Sequence, residues 1–172
     1  ASFQANVKAN VKHNNKNLTL KELVVELNKN VMDAAKGEKF VTAFIGYYNE
    51  ETRQLKYINA GHNYPVMIKN REAKLLKTSC TGLGMFDELP VIEEEVVTID
   101  PNTVIVCYTD GVVETENMAG EQYEIERLIN VVADNFDAKM ATINKIIIDE
   151  MDNFKGEKPY MDDTAILSLR IL

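Results

Sequence analysis

An acidic motif that follows an apolar stretch is the feature of this sequence most suited to chemistry. Thr109-Asp110-Gly111 comes directly after the apolar run 104–108, and the pair Asp162-Asp163 stands just before the predicted final strand, 164–171. Carboxylates held at the ends of strands suit hard cations such as Mg²⁺ or Mn²⁺. Each signal alone is weak, because an Asp-Gly turn or two acids at a strand end usually mark an ordinary exposed loop.

The local spacing limits what these residues can do. Successive side chains of an extended chain point in opposite directions, so at most one of Asp162 and Asp163 is expected to face a given metal ion. Gly111 has no side chain, and therefore lets another group or a hydrated ion approach the backbone closely. A haloacid-dehalogenase loop is excluded, because Tyr108 stands where that loop needs its nucleophilic aspartate.

Other catalytic groups are scarce in this sequence. With two histidines in the chain, a histidine-based metal site is not expected. His62 lies in a Gly-His-Asn turn, where its ring is expected to bond the backbone rather than to act as an acid or base. No P-loop and no Gly-x-Ser-x-Gly motif occurs. Cys80 and Cys107 are expected to be reduced and buried, with a disulfide left open.

Composition restricts the class of partner. The chain has 172 residues, a net charge of −8 and a 45% hydrophobic content, which fits one soluble globular domain. Too little positive charge is present to displace counterions from nucleic acid. No apolar run approaches the roughly 18 residues needed to span a bilayer. We therefore expect neither nucleic-acid binding nor membrane contact, and a cytoplasmic location.

Two helices are predicted before the first strand. Ala5 and Ala9 lie four residues apart and predict a helix at the start of the chain. In the next helix, Thr19 and Glu22 form a capping-box pattern, and Gly37 is placed to end it. The apolar positions of this second helix recur with the helical period and predict one face packed on a sheet. They are Leu20, Leu23, Val24, Leu27 and Val31.

β-branched and aromatic residues with alternating polarity predict the strands. The strand segments are 40–48, 54–59, 64–69, 74–77, 91–98, 103–108 and 164–171. Short turns at 49–53, 61–63 and 70–71 join the first four strands, which predicts a continuous antiparallel meander. A loop at 78–90 and a turn at 100–102 flank the fifth strand.

Two more helices are predicted between the sixth and seventh strands. Each of these helices has apolar residues at the helical period along one face. The segment 156–159, which contains glycine and proline, ends the second helix. The two faces are Ile125, Leu128, Ile129, Val132 and Phe136, and Met140, Ile143, Ile147, Met151 and Phe154. Clustered strands with helices before and after predict an α+β fold rather than a doubly wound parallel sheet.

Several segments, in chain order, resemble the SpoIIE/RsbU branch of the PPM protein phosphatases. They are FVTAFIGYYNEETRQLKYINAGHNYP (40–65), TGLG (81–84), VIVCYTDGVVET (104–115) and DDTAIL (162–167). The AGHN turn and the strand-TDG-x-x-E element are together fairly specific, whereas either alone would not be. The opening ASFQANVKANVK resembles the helix that follows that family's glycine-rich metal loop. The resemblance therefore covers nearly the whole chain.

The resemblance implies a sandwich of two antiparallel sheets flanked by helices, with two Mn²⁺ or Mg²⁺ ions at one end. It implies that Asp110 and Asp162 are metal ligands, that Asp163 is the second choice for the latter, and that the Gly111 backbone lies near the metal site. No catalytic group is implied beyond the metal-bound water, which attacks the phosphate in line. Glu114 matches the acid of the family motif and is given no ligand role.

The sequence departs from the family pattern in its metal-binding acids. The first metal aspartates of the family lie in a Gly-Asp-x-x-Asp strand and an Asp-Val-x-Gly-x-Gly loop, neither of which occurs here. Thr164 and Ala165 stand where an apolar residue and threonine are commoner, and Tyr64 replaces a usual proline. We therefore expect residues 1–172 to be a single but partial domain that lacks the first strands and has little activity alone.

The function implied by the resemblance is a metal-dependent protein serine/threonine phosphatase in bacterial signalling. Its expected substrates are phosphorylated anti-sigma-factor antagonists of the STAS type, and its expected partners include an upstream sensor or receiver domain. Self-association as a homodimer is a further expectation. Two alternatives stay open: an inactive pseudophosphatase that binds a regulatory partner, and a structural dimerisation domain that uses exposed helix faces.

Overall fold

The computed structural model describes residues 18–36 and 38–172, which form two compact units. The first unit contains the described residues up to His62 together with Lys77–Ile99. The second contains Asn63–Leu76 together with Asp100–Leu172. The helix predicted around Ala5 and Ala9, and the helix-ending role of Gly37, lie outside the described residues.

Helices and antiparallel strands make up both units. In chain order the elements are α1 (Leu20–Ala35), β1 (Ala43–Asn49), β2 (Gln54–Ala60), β3 (Val66–Lys69), β4 (Glu72–Leu75), β5 (Glu95–Thr98), β6 (Val104–Tyr108), α2 (Asp110–Val113), α3 (Glu124–Asp134), α4 (Met140–Lys155) and β7 (Ile166–Arg170). One sheet has the strand order β1-β2-β5 and the other β4-β3-β6-β7. All neighbouring strands are antiparallel, so the predicted α+β class is confirmed.

The first unit is built around α1, whose predicted capping box is present. The Glu22 amide donates to Thr19 Oγ1 at 3.3 Å, and the Thr19 amide donates to Glu22 Oε2 at 2.8 Å. These bonds satisfy amides that a helix end otherwise leaves unpaired. The apolar stripe of α1 packs against β2 and the loop before β5, where Ile58 and Leu83 are fully buried.

A buried asparagine holds the loop between β4 and β5 against α1. The Nδ2 group of Asn28 donates to the Phe86 carbonyl oxygen at 2.9 Å, and the Gly84 amide donates to Asn28 Oδ1 at 2.8 Å. Asn28 is 2% exposed, so these bonds compensate for burying its amide group. The loop predicted at 78–90 is therefore present and anchored.

In the second unit, α3 and α4 cover one face of the four-stranded sheet. The predicted apolar faces of both helices enter this core, together with alternate residues of β3 and β6. The fully buried helix residues include Leu128, Ile143, Ile147 and Met151. Within residues 18–36 and 38–172, no helix has the length and apolar character required to cross a membrane.

The continuous meander predicted for the first four strands is wrong. The strand β2 lies between β1 and β5, whereas β3 lies between β4 and β6 in the other sheet. The Asn59 side chain binds the backbone of His62 at both its amide and its carbonyl group, 2.8 and 2.9 Å away. Gly61 adopts a φ of 68° there, and Pro65 has no amide to donate to a ladder. The chain therefore leaves the first sheet at 61–65 instead of forming a hairpin.

Candidate functional site

The pairing of β6 with β7 brings the two acidic segments together. Tyr108 at the end of β6 lies opposite Ile166 at the start of β7. The Thr109 amide extends this ladder and donates to the Ala165 carbonyl oxygen at 3.1 Å. Because antiparallel neighbours place the end of one strand beside the start of the other, the start of α2 with Asp110 lies beside the bend with Asp162 and Asp163 in the second unit.

Asp110 is the first residue of a short helix rather than part of an open turn. The Glu114 amide donates to the Asp110 carbonyl oxygen at 2.9 Å, which closes the single turn of α2. Val112 is fully buried in the core of the second unit and anchors α2 there. The Asp110 side chain is exposed, so its carboxylate is available to a ligand from solvent.

The two acids before β7 are also exposed, in a bend that precedes the strand. The Asp163 amide donates to Asp162 Oδ1 at 2.7 Å, which restricts the orientation of the Asp162 carboxylate. That Asp162 binds a metal ion, with Asp163 as the second choice, stays a prediction.

Gly111 lets the backbone of the 162–163 bend approach α2 closely. A Cβ atom at Gly111 would lie 2.6 Å from the Asp163 carbonyl oxygen and 3.1 Å from that of Asp162. Both distances are shorter than ordinary van der Waals contact. The group that approaches the glycine is therefore the chain itself, and the nearness of this backbone to a metal ion remains a prediction.

Two threonine side chains, for which the sequence predicted no role, form hydrogen bonds in and between α2 and the 162–163 bend. Thr109 Oγ1 donates to the Asp163 carbonyl oxygen and accepts from the Ala165 amide, both at 2.9 Å. Thr115 is buried and donates to the Gly111 carbonyl oxygen at 2.6 Å. The four-residue spacing from Gly111 to Thr115 is a signal that the sequence offered, whereas no local pattern indicates the partners of Thr109.

Charged and aromatic residues hold the segment that leads to the acidic bend. Lys158 forms an ion pair with Glu116 at 3.0 Å, and the Tyr160 hydroxyl donates to Asp152 Oδ1 at 3.0 Å. Burial and, secondarily, the bond to Asp152 raise the pKa of Tyr160 to about 12. Tyr160 is therefore neutral near pH 7 and acts as a hydrogen-bond donor.

The oxygen atoms at the site are of the type that a hard cation prefers, but the described residues bring too few carboxylates together. Carboxylate and carbonyl oxygens are the ligands that Mg²⁺ and Mn²⁺ prefer. Across residues 18–36 and 38–172, however, no three side chains of His, Cys, Asp or Glu come together in a way that could hold a metal ion. The described residues therefore offer no complete ligand set, and the assignment of Asp110 and Asp162 as metal ligands stays a prediction.

His62 lies in the first unit, where both its backbone and its ring make contacts. Besides the Asn59 bonds to its backbone, its ring Nδ1 lies 3.4 Å from Thr42 Oγ1. This ring contact is with a side chain, and the predicted bond of the ring to the backbone stays a prediction. Both cysteines are free thiols, as expected; Cys80 is buried as predicted, whereas Cys107 is only half-buried. Burial raises the pKa of both thiols.

Comparison with known proteins identifies one family along nearly the whole chain. The sequence model described as Stage II sporulation protein E (SpoIIE) matches residues 7–172. Protein IcfG of Synechocystis sp. is 31% identical over 133 residues, a match that covers 76% of this chain and 21% of that protein. The chain thus spans about a fifth of the length of this curated relative.

Solved structures share the fold. The SiaA-PP2C domain of Pseudomonas aeruginosa superposes with a TM-score of 0.84 at 17% identity, over 99% of this chain and 68% of that one. The PP2C phosphatase domain of SpoIIE from Bacillus subtilis gives 0.77 at 12% identity, over 98% and 49%. The RsbU and RsbW domains of a Mycobacterium tuberculosis protein give 0.70 at 20%, over 98% and 46%. The predicted SpoIIE/RsbU-type identity is confirmed: this chain belongs to the SpoIIE family and has the fold of the PP2C-type protein phosphatases.

Proposed function

We propose that this chain is part of a metal-dependent protein serine/threonine phosphatase domain in which Asp110 and Asp162 bind Mn²⁺ or Mg²⁺. The observation that carries the proposal is the β6–β7 pairing, which brings exposed carboxylates from distant parts of the sequence onto adjacent loops. Among proteins of similar fold, one RsbX structure is a magnesium complex and one SpoIIE phosphatase domain was presoaked with manganese. Two ions are proposed for the intact domain, as in the sequence-based expectation.

The residues of this chain would bind and orient the cations. When bound, the cations supply activation of a water molecule and neutralisation of charge on the phosphate. The Asp110 carboxylate stands on α2, which the buried Val112 fixes in the core. The Asp162 carboxylate is oriented by the Asp163 amide, and Gly111 keeps the two loops in contact. We propose no side chain of this chain as an acid, base or nucleophile.

The proposed substrate is phosphoserine or phosphothreonine on a small regulatory protein, of the kind that antagonises an anti-sigma factor. Membership of the SpoIIE family supports this proposal, as does the likeness to a protein that joins an RsbU to an RsbW domain. A regulatory sensor or receiver domain in the same gene product is proposed too, and so is a cytoplasmic location. The net charge of −8 supports a protein partner over nucleic acid.

Phosphate release tests the proposed function directly. The complete gene product should release phosphate from a phosphoserine or phosphothreonine peptide with MnCl₂ and lose this activity with EDTA. Residues 1–172 alone should release phosphate about 100-fold more slowly or worse, because the first metal aspartates of the family pattern do not occur in them. Loss of a metal ligand should exceed the roughly 10- to 100-fold effect of losing a residue that supports a ligand. Colorimetric measurement of free phosphate provides both rates.

Each half of this result can fail separately. No metal-dependent release from the complete gene product, with several phosphopeptides, would contradict a phosphatase function. Equal rates for the complete product and for residues 1–172 would contradict the partial ligand set.

A partner-binding pseudophosphatase is the second candidate function. The absence of a three-ligand cluster among the described residues fits this candidate as well as it fits a partial enzyme domain. The coding sequence upstream of Ala1 separates the two candidates: a Gly-Asp-x-x-Asp strand and an Asp-x-x-Gly-x-Gly loop favour the enzyme. Their absence, together with metal-independent binding of a phosphorylated partner, would favour the binding module.

The outer edge of β7 supports the proposed homodimer. The strand stands at one end of the order β4-β3-β6-β7, and Leu167 and Leu169 are 64% and 36% exposed on it. A two-fold axis through Ser168 would pair Leu167 of one copy with Leu169 of the other in an antiparallel ladder. A contact of five residues is small beside the roughly 1,600 Å² of a standard interface, so we propose a weak dimer.

Leu167→Lys should abolish this association in residues 1–172, because a charge would then face an apolar residue of the second copy. Sedimentation equilibrium over a range of concentrations measures the effect. Leu172→Lys is the matched control, since Leu172 is 93% exposed and lies beyond the strand. A wild-type chain that stays monomeric at about 1 mM, where a dimer with a binding free energy of about −4 kcal/mol would be half formed, would contradict the dimer.

A further inference from the structure

We infer that Thr109 is a positioning residue for the metal site. Its hydroxyl group sets the separation between the loop that carries Asp110 and the bend that carries Asp162, and thereby the affinity for a divalent cation. The inference rests on the proposed function, because it concerns the same site.

The hydroxyl group of Thr109 does not cap the helix that this residue precedes. Thr109 is the N-cap residue of α2, where a threonine side chain ordinarily accepts from an amide of the first helical turn. No such capping bond is present. The hydroxyl instead donates to the Asp163 carbonyl oxygen and accepts from the Ala165 amide, both at 2.9 Å. Both bonding capacities of the side chain therefore serve the loop that carries the second acid.

Contacts on both sides of Asp110 hold the start of α2 against the segment 162–165. On one side, the Thr109 amide and hydroxyl make three hydrogen bonds to the backbone of residues 163–165. On the other side, Gly111 lies against the carbonyl groups of Asp162 and Asp163. Asp110 stands between these two contacts in the sequence. The backbone of Asp110 is thus held beside the 162–163 bend by the residues on either side of it.

Thr164 makes a weaker connection between the same loops. Its hydroxyl lies 3.5 Å from the Gly111 carbonyl oxygen and 3.4 Å from that of Asp162. Hydroxyl hydrogen bonds of full strength are about 2.7–2.8 Å long. The side-chain connection therefore depends mainly on Thr109.

The fold itself does not depend on this hydroxyl group. Five residue pairs join β6 to β7, and alternate residues of β6 are buried beneath α3 and α4. Loss of the hydroxyl should leave the strands paired and loosen only the bend before β7. A ligand displaced by a fraction of an ångström binds a cation less tightly, since metal sites need close geometric support. The effect on metal affinity should therefore exceed the effect on folding.

Thr109→Val in the complete gene product tests the inference, because valine keeps the shape and removes both hydrogen bonds. The dissociation constant for Mn²⁺, measured by calorimetric titration or by electron paramagnetic resonance, should rise about tenfold or more. Circular dichroism should be unchanged without metal. Thr109→Ser, which keeps the hydroxyl, should bind Mn²⁺ nearly as tightly as the wild type. Thr98→Val, at an exposed threonine of β5, is the control.

Asp110→Asn in the same titration separates the inference from the proposed function. If Asp110→Asn binds Mn²⁺ like the wild type, the proposed metal site is wrong. If Asp110→Asn weakens binding but Thr109→Val does not, the role of Thr109 is wrong while the site stands. A serine variant as weak as the valine variant would also overturn the role of the hydroxyl. Should Thr109→Val not fold, Thr109→Ala is judged by the same criteria.

Discussion

Asp110→Asn should lower Mn²⁺-dependent phosphate release by the complete gene product by about 100-fold or more. Asparagine keeps the size of the side chain but removes the negative charge that compensates a divalent cation for its lost hydration. Direct loss of a ligand should exceed the 10- to 100-fold effect typical of residues that support one. Because the Asp110 side chain is exposed, the thermal unfolding midpoint without metal should barely change. Initial rates on a phosphopeptide measure the effect.

Asp33→Asn is the matched control for this substitution, because Asp33 is an exposed acid on α1 in the other unit. It should leave the rate unchanged. Asp162→Asn and Asp163→Asn, compared side by side, decide which acid of the pair is the ligand. A folded Asp110→Asn variant with full activity would remove Asp110 from the site. A large loss with intact folding would instead exclude a purely structural dimerisation domain.

Local elements of this fold were predictable because their determinants are close in sequence. Thr19 and Glu22 are three residues apart, and their reciprocal hydrogen bonds mark the start of α1. The turn between β1 and β2 is similarly local, since Asn49 Oδ1 accepts from the Thr52 amide at 2.9 Å. Each of these contacts joins residues three positions apart, so the residue types in a short segment are enough to indicate it.

Strand partners were not predictable in the same way. Alternating apolar residues determine which side chains of β2 and β3 are buried, but not which strands lie beside them. The choice depends on contacts such as the pairing of Leu55 with Val97, far along the chain. The Asn59 bonds to the His62 backbone decide that β2 and β3 do not form a hairpin. Asparagine is common in turns of many kinds, so its presence indicated a turn without indicating this one.

The candidate site, too, was predictable in its residue types but not in its long-range contacts. Residue type and the family resemblance indicated Asp110, Asp162 and Asp163, because carboxylates at strand ends suit hard cations. The bonds of Thr109 connect residues 54 and 56 positions apart, and no local pattern marks them. Gly111 was predicted to permit a close approach, but its neighbour, the backbone of the 162–163 bend, emerged only from the β6–β7 pairing.

Gly111→Ala should destabilise the complete gene product and weaken Mn²⁺ binding. Glycine to alanine within a helix ordinarily stabilises a protein by roughly 0.5–1 kcal/mol. Here the new Cβ atom would lie 2.6 Å from the Asp163 carbonyl oxygen, which is backbone and cannot rotate away. Overpacking of this kind typically costs about 1–3 kcal/mol. Urea denaturation should show a lower midpoint with an unchanged slope.

Gly46→Ala in β1 is the matched control, because its nearest contact would be a methyl group at the end of the Leu55 side chain at 3.1 Å, rather than backbone. That change should stay within about 0.5 kcal/mol of the wild type. The sign of the Gly111→Ala effect is decisive, since intrinsic helix preference and the close backbone approach predict opposite directions. A variant as stable as the wild type would mean that α2 and the 162–163 bend are not in close contact. The carboxylates of Asp110 and Asp162 would then lack the support that a shared cation site requires.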